Sequence, residues 1–402
     1  MASTRILLLP NTNTLSHLAQ ALAIAEWLED LGVECHIGLA KARQVWGARF
    51  FRRCHGIEEL WEHSGVPFPG LGWFSNPDRV ERCLRSQEQL RQQLQPALVI
   101  GIFDFLCKAS ARGLPLVSIN GFCMLPVYEG VLGFDESDRP ERRRQVQILD
   151  RFWRFAARAI NPSLEKRGLA PVVKATDMLM GDFNLICEIP EVCDAPALPA
   201  GYDFIGPIFW NGWDNVGVSP PRETGSDRPT ILLNSGSLPL PDGAFLQRLI
   251  ERLLSLGACV WVNSGEGGIS ETTDRVFCRP FLSPHETMQR VDLVVCRGGV
   301  SACYQNLCHA VPSLVLPTQP EQATNGIQLQ KHGCGRVVAP PLVFTGGVRE
   351  YPAAIDDQTV TATLREMLSG LDAYRPHLQR VGRALRRYDA QSFLCKLVGD
   401  LL

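Results

Sequence analysis

Residues 292–322, DLVVCRGGVSACYQNLCHAVPSLVLPTQPEQ, decide the fold of this chain. The apolar run at 293–295 has no polar alternation, which is typical of a strand covered on both faces in a parallel sheet. Gly298 and Gly299 permit a tight turn and the close approach of a ligand. The helix expected after them would direct unpaired N–H groups at that turn, beside the fixed cation of Arg297. The segment therefore predicts a corner that binds a diphosphate.

Composition limits the class of protein. The chain has 402 residues, enough for two domains with separate cores, and it is 45% hydrophobic and 20% charged, as soluble globular proteins are. A net charge of -2 gives no reason to expect nucleic acid as a partner. The 14 cysteines are spread singly, which together with the lack of a signal segment favours free thiols in a reducing cytoplasm. No apolar run approaches the ~20 residues that span a bilayer, so we expect a protein that is soluble or at most peripheral to a membrane.

Alternation of strands and helices divides the chain in two. It starts with the strand ILLLP at 6–10 and a helix that ends at Gly32, and it restarts at PTILLNSGS. Two successive βαβ-type halves predict an α/β protein with two doubly wound, Rossmann-like parallel sheets that face each other across a cleft. We predict a first domain at 1–212, a Gly- and Pro-rich linker at 213–229, a second domain at 230–385, and a final helix at 386–402 that packs back on the first domain.

Three motifs in the second half carry a family resemblance: NSGS at 234–237, RPFLSPHE at 279–286, and the segment 292–325. In this order they resemble the donor-binding domain of GT-B-fold glycosyltransferases. They are similar both to the UDP-glycosyltransferase superfamily and to the N-acetylglucosaminyltransferase of peptidoglycan synthesis. The resemblance implies that the first domain binds an acceptor and the second a nucleotide-sugar.

The predicted donor site combines motif chemistry with the resemblance. An Arg and helix N–H groups can stabilise the charge of a leaving nucleoside diphosphate without a metal. Each part of this site also has a purely structural alternative. Residues 235–237 could form an ordinary strand-to-helix turn, and Phe281 could be a core residue. Arg297 could form a surface ion pair, and 321–322 could lie in a solvated loop. The donor-binding set is Ser235, Gly236, Ser237, Phe281, Arg297, Gly298, Gly299, Val300, Ser301, Gln305, Glu321 and Gln322.

Two of these positions depart from the commonest small-molecule pattern of the family. Many small-molecule members of the family have His at the position of Arg297, whereas the peptidoglycan type has Arg there. Gln305 stands where the family has a Glu that grips the ribose hydroxyls, and Gln lacks the charge-assisted bond. This replacement is compatible with a dTDP-sugar as well as a UDP-sugar.

The catalytic base is expected in the first domain. His17 lies fifteen residues before Gly32, the spacing of the catalytic His in these families, and imidazole can remove a proton from an acceptor hydroxyl near neutral pH. The alternative is that His17 caps the helix or packs in the interior. The family's orienting carboxylate would fall near Gly101, so we name Asp104 as the nearest substitute. Otherwise His17 acts alone.

The acceptor is less constrained. The aromatic residues of the first domain predict either an apolar acceptor pocket or core packing: Trp73, Phe74, Phe103, Phe105, Phe122 and Tyr128. A basic amphipathic helix within 142–167 predicts either contact with an anionic membrane or an ordinary solvated surface.

Together these observations predict an inverting, metal-independent glycosyltransferase that moves a sugar from a UDP- or dTDP-sugar to a hydroxyl of a small, hydrophobic or lipid-linked acceptor. The nucleotide-sugar is a co-substrate, and no other cofactor is expected. We expect a cytoplasmic location, with peripheral contact to the inner face of a membrane left open. The alternatives are a nucleotide-sugar epimerase or hydrolase, and a non-catalytic partner protein on the same fold.

Overall fold

The computed structural model describes residues 4–62, 71–130, 132–134, 139–221, 228–235, 243–265, 270–339, 343–345, 348–350 and 356–402. Its element order is that of two successive α/β units. Within the described residues no helix is long and apolar enough to cross a lipid bilayer.

The first unit contains a seven-stranded sheet in the order β3-β2-β1-β4-β5-β6-β7, with every neighbouring pair parallel. The strands of the central pairs are buried along nearly their whole length, as the unbroken apolar runs predict. The strands are β1 (Arg5–Pro10), β2 (Glu34–Ala40), β3 (Cys54–Ile57), β4 (Leu98–Ile102), β5 (Leu116–Asn120), β6 (Phe183–Ile186) and β7 (Tyr202–Phe204).

The second unit contains another seven-stranded sheet, in the order β10-β11-β9-β8-β12-β13-β14, where β10 alone pairs antiparallel. A separate antiparallel hairpin follows it. The strands are β8 (Thr230–Asn234), β9 (Cys259–Asn263), β10 (Glu271–Thr272), β11 (Val276–Arg279), β12 (Leu293–Cys296), β13 (Ser313–Val315), β14 (Gly335–Val337), β15 (Val343–Thr345) and β16 (Val348–Glu350).

Helices cover the sheets, and local signals explain several of their ends. The Asn76 side chain accepts the Asp78 N–H at 2.8 Å before α3, and Asp389 accepts the Ser392 N–H at 3.0 Å before the last helix. The helices are α1 (Leu15–Glu29), α2 (Lys41–Gly47), α3 (Pro77–Leu94), α4 (Cys107–Ser110), α5 (Arg139–Glu165), α6 (Pro190–Cys193), α7 (Trp213–Val216), α8 (Gly243–Ser255), α9 (Pro284–Met288), α10 (Val300–Cys308), α11 (Pro320–Lys331), α12 (Asp357–Ser369), α13 (Leu371–Leu385) and α14 (Ala390–Leu401).

The strand orders locate the ligand crevice. In each sheet the direction of strand progression reverses next to the first strand, between β1 and β4 in one sheet and between β8 and β12 in the other. Open α/β sheets bind ligands outside the carboxyl ends of strands at such a switch point. The predicted Rossmann-like, doubly wound pair of sheets is therefore confirmed, and its switch points lie at the loops after Pro10 and Cys296.

Two segments of the chain pack in the opposite unit. In α14, Leu394 and Val398 lie in the same apolar core as α1, and the Cys395 thiol is 3.7 Å from the Trp27 carbonyl oxygen. In the other direction, Ile189 at the start of α6 is buried among second-unit residues. The two units thus share apolar contacts besides their covalent linker.

Most of the first-unit aromatics that were candidates for an acceptor pocket are core residues. Trp73, Phe74 and Phe105 are at most 2% exposed and pack together with α5. Among the six candidates only Phe103 reaches the cavity described below. The core-packing alternative therefore accounts for the others. Trp73, Phe74 and Phe105 pack with α3 and α5, whereas Phe122 packs with Tyr128 and Phe204 beside β6 and β7.

Candidate active site

A cavity of about 510 Å³ lies between the two sheets, where the carboxyl ends of the strands at both switch points meet. Both units line it, which matches the position expected for a ligand crevice. It contains His17 together with eight of the predicted donor-binding residues: Phe281, Arg297, Gly299, Val300, Ser301, Gln305, Glu321 and Gln322.

His17 lies in the first turn of α1 and is positioned by a backbone carbonyl. Its Nδ1 is 2.8 Å from the carbonyl oxygen of Asn11, which can only accept, so Nδ1 carries the proton and Nε2 has a free lone pair. Its ring also packs on Phe103, with 5.3 Å between ring centroids. Burial lowers the pKa of His17 to about 4, against the opposing effect of the Asn11 bond. The imidazole is therefore neutral at physiological pH, in the tautomer that accepts a proton at Nε2.

Asp104 does not pair with His17. Its Oδ1 accepts the N–H groups of Leu106 and Cys107, each at 2.7 Å, and its Oδ2 accepts the Gln87 amide at 2.8 Å. The carboxylate thus caps the short helix α4, a local bond that Asp side chains favour. Burial raises the pKa of Asp104 to about 6 in spite of these donors. The predicted pairing is corrected by these contacts, and the Asn11 carbonyl takes the orienting role.

Arg297 is the cation of the site. Its side chain is only 9% exposed, and neither Nε nor Nη2 has a hydrogen-bond partner among the described residues. Burial lowers the pKa of Arg297 to about 10, which still leaves the guanidinium charged at neutral pH. A buried cation without a partner costs free energy of folding, so the arrangement favours binding of an anion in the cavity.

Gly298 and Gly299 have different roles in the turn before α10. Gly298 has φ of +93°, and a Cβ there would lie 2.7 Å from the Gln322 carbonyl oxygen, so no other residue fits without strain. Gly299 is the N-cap of α10, and a Cβ there would meet no atom of the described residues within 4 Å. Open space beside the first turn of a nine-residue helix gives an anion access to its N–H groups.

The acidic-amide pair begins α11 directly opposite that turn. The carboxylate of Glu321 accepts the Asn325 amide at 3.0 Å, and Asn325 also donates to the Gly298 carbonyl oxygen at 2.7 Å. Burial raises the pKa of Glu321 to about 7, with hydrogen bonds from Asn325 and the Val300 N–H opposing. Gln322 uses its Oε1 to accept the Thr318 N–H at 2.9 Å, which leaves its NH₂ as a donor. The pair presents one carboxyl and one amide donor to a ligand.

The remaining donor residues differ in how well they are placed. Gln305 lines the cavity in the middle of α10. Phe281 also lines it, and its ring stacks on Trp213 at 5.7 Å. Ser235 bonds internally, since its Oγ donates to the Asn263 carbonyl oxygen at 2.8 Å. Gly236 and Ser237 lie outside the described residues.

Among the cavity residues that sequence reasoning missed, four polar or aromatic ones lie together at one end. Trp213 and Asp214 come from the linker, where Asp214 accepts the Ser283 hydroxyl at 2.7 Å. His285 and His309 line the same end, with ring centroids 6.1 Å apart. An aromatic residue inside a Gly- and Pro-rich linker and a His inside the RPFLSPHE motif were the available signals. Nothing in the sequence brings His309 beside them.

Comparison with known proteins agrees with this geometry. Residues 264–340 match the glycosyltransferase family 28 C-terminal domain. A PGL/p-HBAD biosynthesis glycosyltransferase of Mycobacterium tuberculosis is 24% identical over 94% of this chain and 88% of its own length. A PGL/p-HBAD biosynthesis rhamnosyltransferase of Mycobacterium bovis is 23% identical over 82% of this chain and 76% of its own length.

Solved structures show the same architecture. The glycotransferase of kitacinnamycin superposes with a TM-score of 0.73 at 16% identity and covers 100% of both chains. The spinosyn rhamnosyltransferase SpnG, complexed with thymidine diphosphate, has a TM-score of 0.66 at 14% identity over 98% of this chain and 100% of its own. The fold is GT-B. The matched domain contains the Arg297 corner, and the chain is a nucleotide-sugar-dependent glycosyltransferase.

Proposed function

We propose that this glycosyltransferase inverts the anomeric centre of a dTDP-activated deoxysugar, such as rhamnose, as it transfers the sugar to a hydroxyl of a hydrophobic or lipid-linked acceptor. The observation that carries the proposal is the joint presence of His17, with a free Nε2, and the unpartnered Arg297 in one cavity. A base from one unit and an anion site from the other are what a single displacement at the anomeric carbon requires.

In the proposed reaction, the acceptor hydroxyl gives its proton to Nε2 of His17 while its oxygen bonds to the anomeric carbon. The bond from that carbon to the diphosphate oxygen breaks on the opposite face, which inverts the centre. Arg297 and the N–H groups at the start of α10 take up the developing negative charge, so the step needs no metal ion. The Asn11 carbonyl stabilises the imidazolium through Nδ1–H.

The choice of nucleotide rests on two supports. Gln305, which lines the cavity, offers an amide where a carboxylate would form charge-assisted bonds to two ribose hydroxyls. A deoxyribose needs one bond fewer, and SpnG, of the same fold, is complexed with thymidine diphosphate. The choice of a deoxysugar follows the rhamnosyltransferase relative.

The acceptor proposal rests on the first-unit side of the cavity. Leu15, Phe103 and Met124 give this side an apolar lining around His17. The mycobacterial relatives are named for PGL/p-HBAD biosynthesis, which is consistent with an apolar acceptor. We place the reaction in the cytoplasm, with the acceptor held in or presented from a membrane.

The test is a donor and acceptor panel. Calorimetry should detect dTDP binding tighter than UDP binding, and turnover should be measured with dTDP-rhamnose and phenolic or lipid-linked alcohols. His17→Ala should keep dTDP affinity but lower kcat by about 10²–10⁴-fold, the range expected for loss of a general base. His377→Ala, at an exposed histidine of α13, is the matched control and should retain activity.

Full turnover in His17→Ala would remove the assigned base. Absence of binding by any nucleotide would overturn the donor proposal and leave the non-catalytic alternative. A product with a retained anomeric configuration, read by NMR coupling constants, would exclude the direct displacement.

A further inference from the structure

The loop at 11–14 determines how His17 is held, so the groups that fix this loop matter for the proposed reaction. Asn11 supplies the carbonyl that accepts from His17. The Asn11 N–H donates to the Ile102 carbonyl oxygen at 2.9 Å, and its side chain accepts the Asn13 N–H at 3.1 Å. These bonds fix the two ends of a short turn, and the residue between them, Thr12, is held by a different group.

That group is the carboxylate of Glu59, which is only 5% exposed. It accepts the Thr12 N–H at 3.0 Å and the Thr12 hydroxyl at 2.9 Å. It also accepts the Ala40 N–H at 3.1 Å and the indole N–H of Trp61. One carboxylate thus joins the loop before α1, the end of β2 and the segment after β3.

Keeping a charged group there is costly. Burial raises the pKa of Glu59 to about 8, the neighbouring Asp104 carboxyl acts in the same direction, and the Thr12 and Trp61 donors oppose both. Glu62 also faces it, since its carboxylate accepts the Glu59 N–H at 3.2 Å. An acid whose folded pKa is raised lowers stability as pH rises above its unfolded value of 4.5. A fold that retains such a group at its active-site loop indicates a functional role.

We propose that Glu59 is the positioning residue for His17. It acts through Thr12 and the 11–14 loop, and so replaces the direct carboxylate partner that Gly101 and Asp104 do not supply. The Thr12 N–H belongs to the same peptide unit as the Asn11 carbonyl, so its bond to Glu59 aims that carbonyl at Nδ1 and keeps Nε2 without a proton. The Ala40 and Trp61 donors hold the Glu59 carboxylate in place. The assignment of His17 as the base rests on the proposed function, but the geometry of its ring does not.

The test reads the histidine tautomer directly. The protein contains 8 histidines, so ¹⁵N-histidine labelling with long-range ¹⁵N–¹H spectra resolves them, and His17→Ala assigns the His17 signals. The unmodified protein should show His17 as the Nδ1–H tautomer. In Glu59→Gln, whose amide cannot accept from all four donors, a mixture of tautomers should appear. At the same time kcat should fall about tenfold or more, as for loss of other supporting groups, with KM for the donor unchanged.

Thr12 and Glu366 provide the controls. Thr12→Val removes the hydroxyl donor and should reproduce part of the effect, whereas Thr12→Ser keeps it and should restore the original tautomer. Glu366→Gln makes the same chemical change on the exposed face of α12 and should leave both tautomer and kcat unchanged.

An unchanged His17 tautomer in both Glu59→Gln and Thr12→Val would overturn the proposal. So would a rise in donor KM with kcat preserved. If Glu59→Gln does not fold, the Thr12 pair gives the answer alone. Because the spectra need no substrate, they test the positioning role even if no acceptor is turned over; failure of the proposed function would instead appear as no nucleotide binding in the unmodified protein.

Discussion

At the scale of the residue, His17 combines a low intrinsic basicity with the correct tautomer. Its pKa is lowered to about 4 in the absence of ligands. A bound diphosphate brings negative charge into the same cavity, and a nearby negative charge favours the imidazolium. The donor is therefore expected to raise the basicity of His17, so that the base becomes effective only once the donor is in place.

Arg297 allows a test of the anion corner. Arg297→Ala should weaken dTDP binding by about 10–150-fold, the value of one or two charge-assisted hydrogen bonds. Arg297→Lys should recover only part of the loss, because a point charge cannot form the planar pair of bonds. Calorimetry with dTDP measures both, with Arg365→Ala on the exposed face of α12 as a control of equal charge. Equal affinity in Arg297→Ala and the control would refute the role of Arg297.

The residues of the site were predictable to different degrees. Arg297 and the two glycines could be identified because their role depends on adjacent letters in one strand-to-helix turn. Asp104 could not be placed, since its carboxylate is satisfied by Gln87 of another helix and by its own local turn. Glu59 could not be linked to the site, because the partners that connect it to the 11–14 loop and to β2 are 47 and 19 residues away in sequence.

At the scale of the element, the turn from β12 to α10 separates stability from binding. Gly298→Ala places a Cβ 2.7 Å from the Gln322 carbonyl oxygen at φ of +93°, and should lower the Tm. The methyl group of Gly299→Ala meets no atom within 4 Å in the part of the chain that the structure describes, so the Tm should stay unchanged while the methyl group obstructs the diphosphate. Thermal unfolding and dTDP calorimetry on the two variants distinguish the effects. A large Tm loss in Gly299→Ala would contradict this account of the turn.

Helix α5 has an exposed basic face that could contact a membrane. Phe155 is 41% exposed and lies among the exposed residues Arg151, Arg154 and Arg158, while Trp153 packs inward. We expect this basic face to bind anionic vesicles. Phe155→Ser should reduce co-sedimentation with phosphatidylglycerol vesicles without changing turnover of a soluble acceptor. Phe393→Ser, at a similarly exposed position on α14, should not; equal binding by all three proteins would favour a plain solvated helix.

At the scale of the whole molecule, buried carboxyls make stability depend on pH. The pKa of Glu321 is raised to about 7 from 4.5, so between these limits the folded state holds more protons and stability falls as pH rises. The pKa of His17 is lowered to about 4 from 6.5, so this residue makes stability rise with pH, but only below pH 6.5. Through Glu321, the free energy of unfolding should therefore decline from pH 6.5 to 8 by roughly 1 kcal/mol.

Urea unfolding at several pH values measures this decline. Glu321→Gln should flatten the curve between pH 6.5 and 7.5, whereas a substitution of the exposed Glu366 should not. A free energy of unfolding that stays constant over this range would show that Glu321 is already ionised in the folded protein.

The architecture as a whole was the most predictable level. Unbroken apolar strands, helix-ending glycines and a Gly- and Pro-rich linker are local signals, and two parallel sheets follow from them by general rules of connection. The residues that line the cavity could not be predicted from such local signals. Trp213, His285 and His309 meet only because the linker folds onto the loop after β11, through the bond from Ser283 to Asp214.

The return of α14 to the first unit has a mechanical consequence. The chain passes between the units twice, once through the linker after Trp210 and once between α13 and α14. The two crossings lie side by side, because Tyr388, between α13 and α14, packs on Gly206, shortly before the linker. A double strand of chain at one edge should act as a hinge, which limits sliding of the units more than a single linker would.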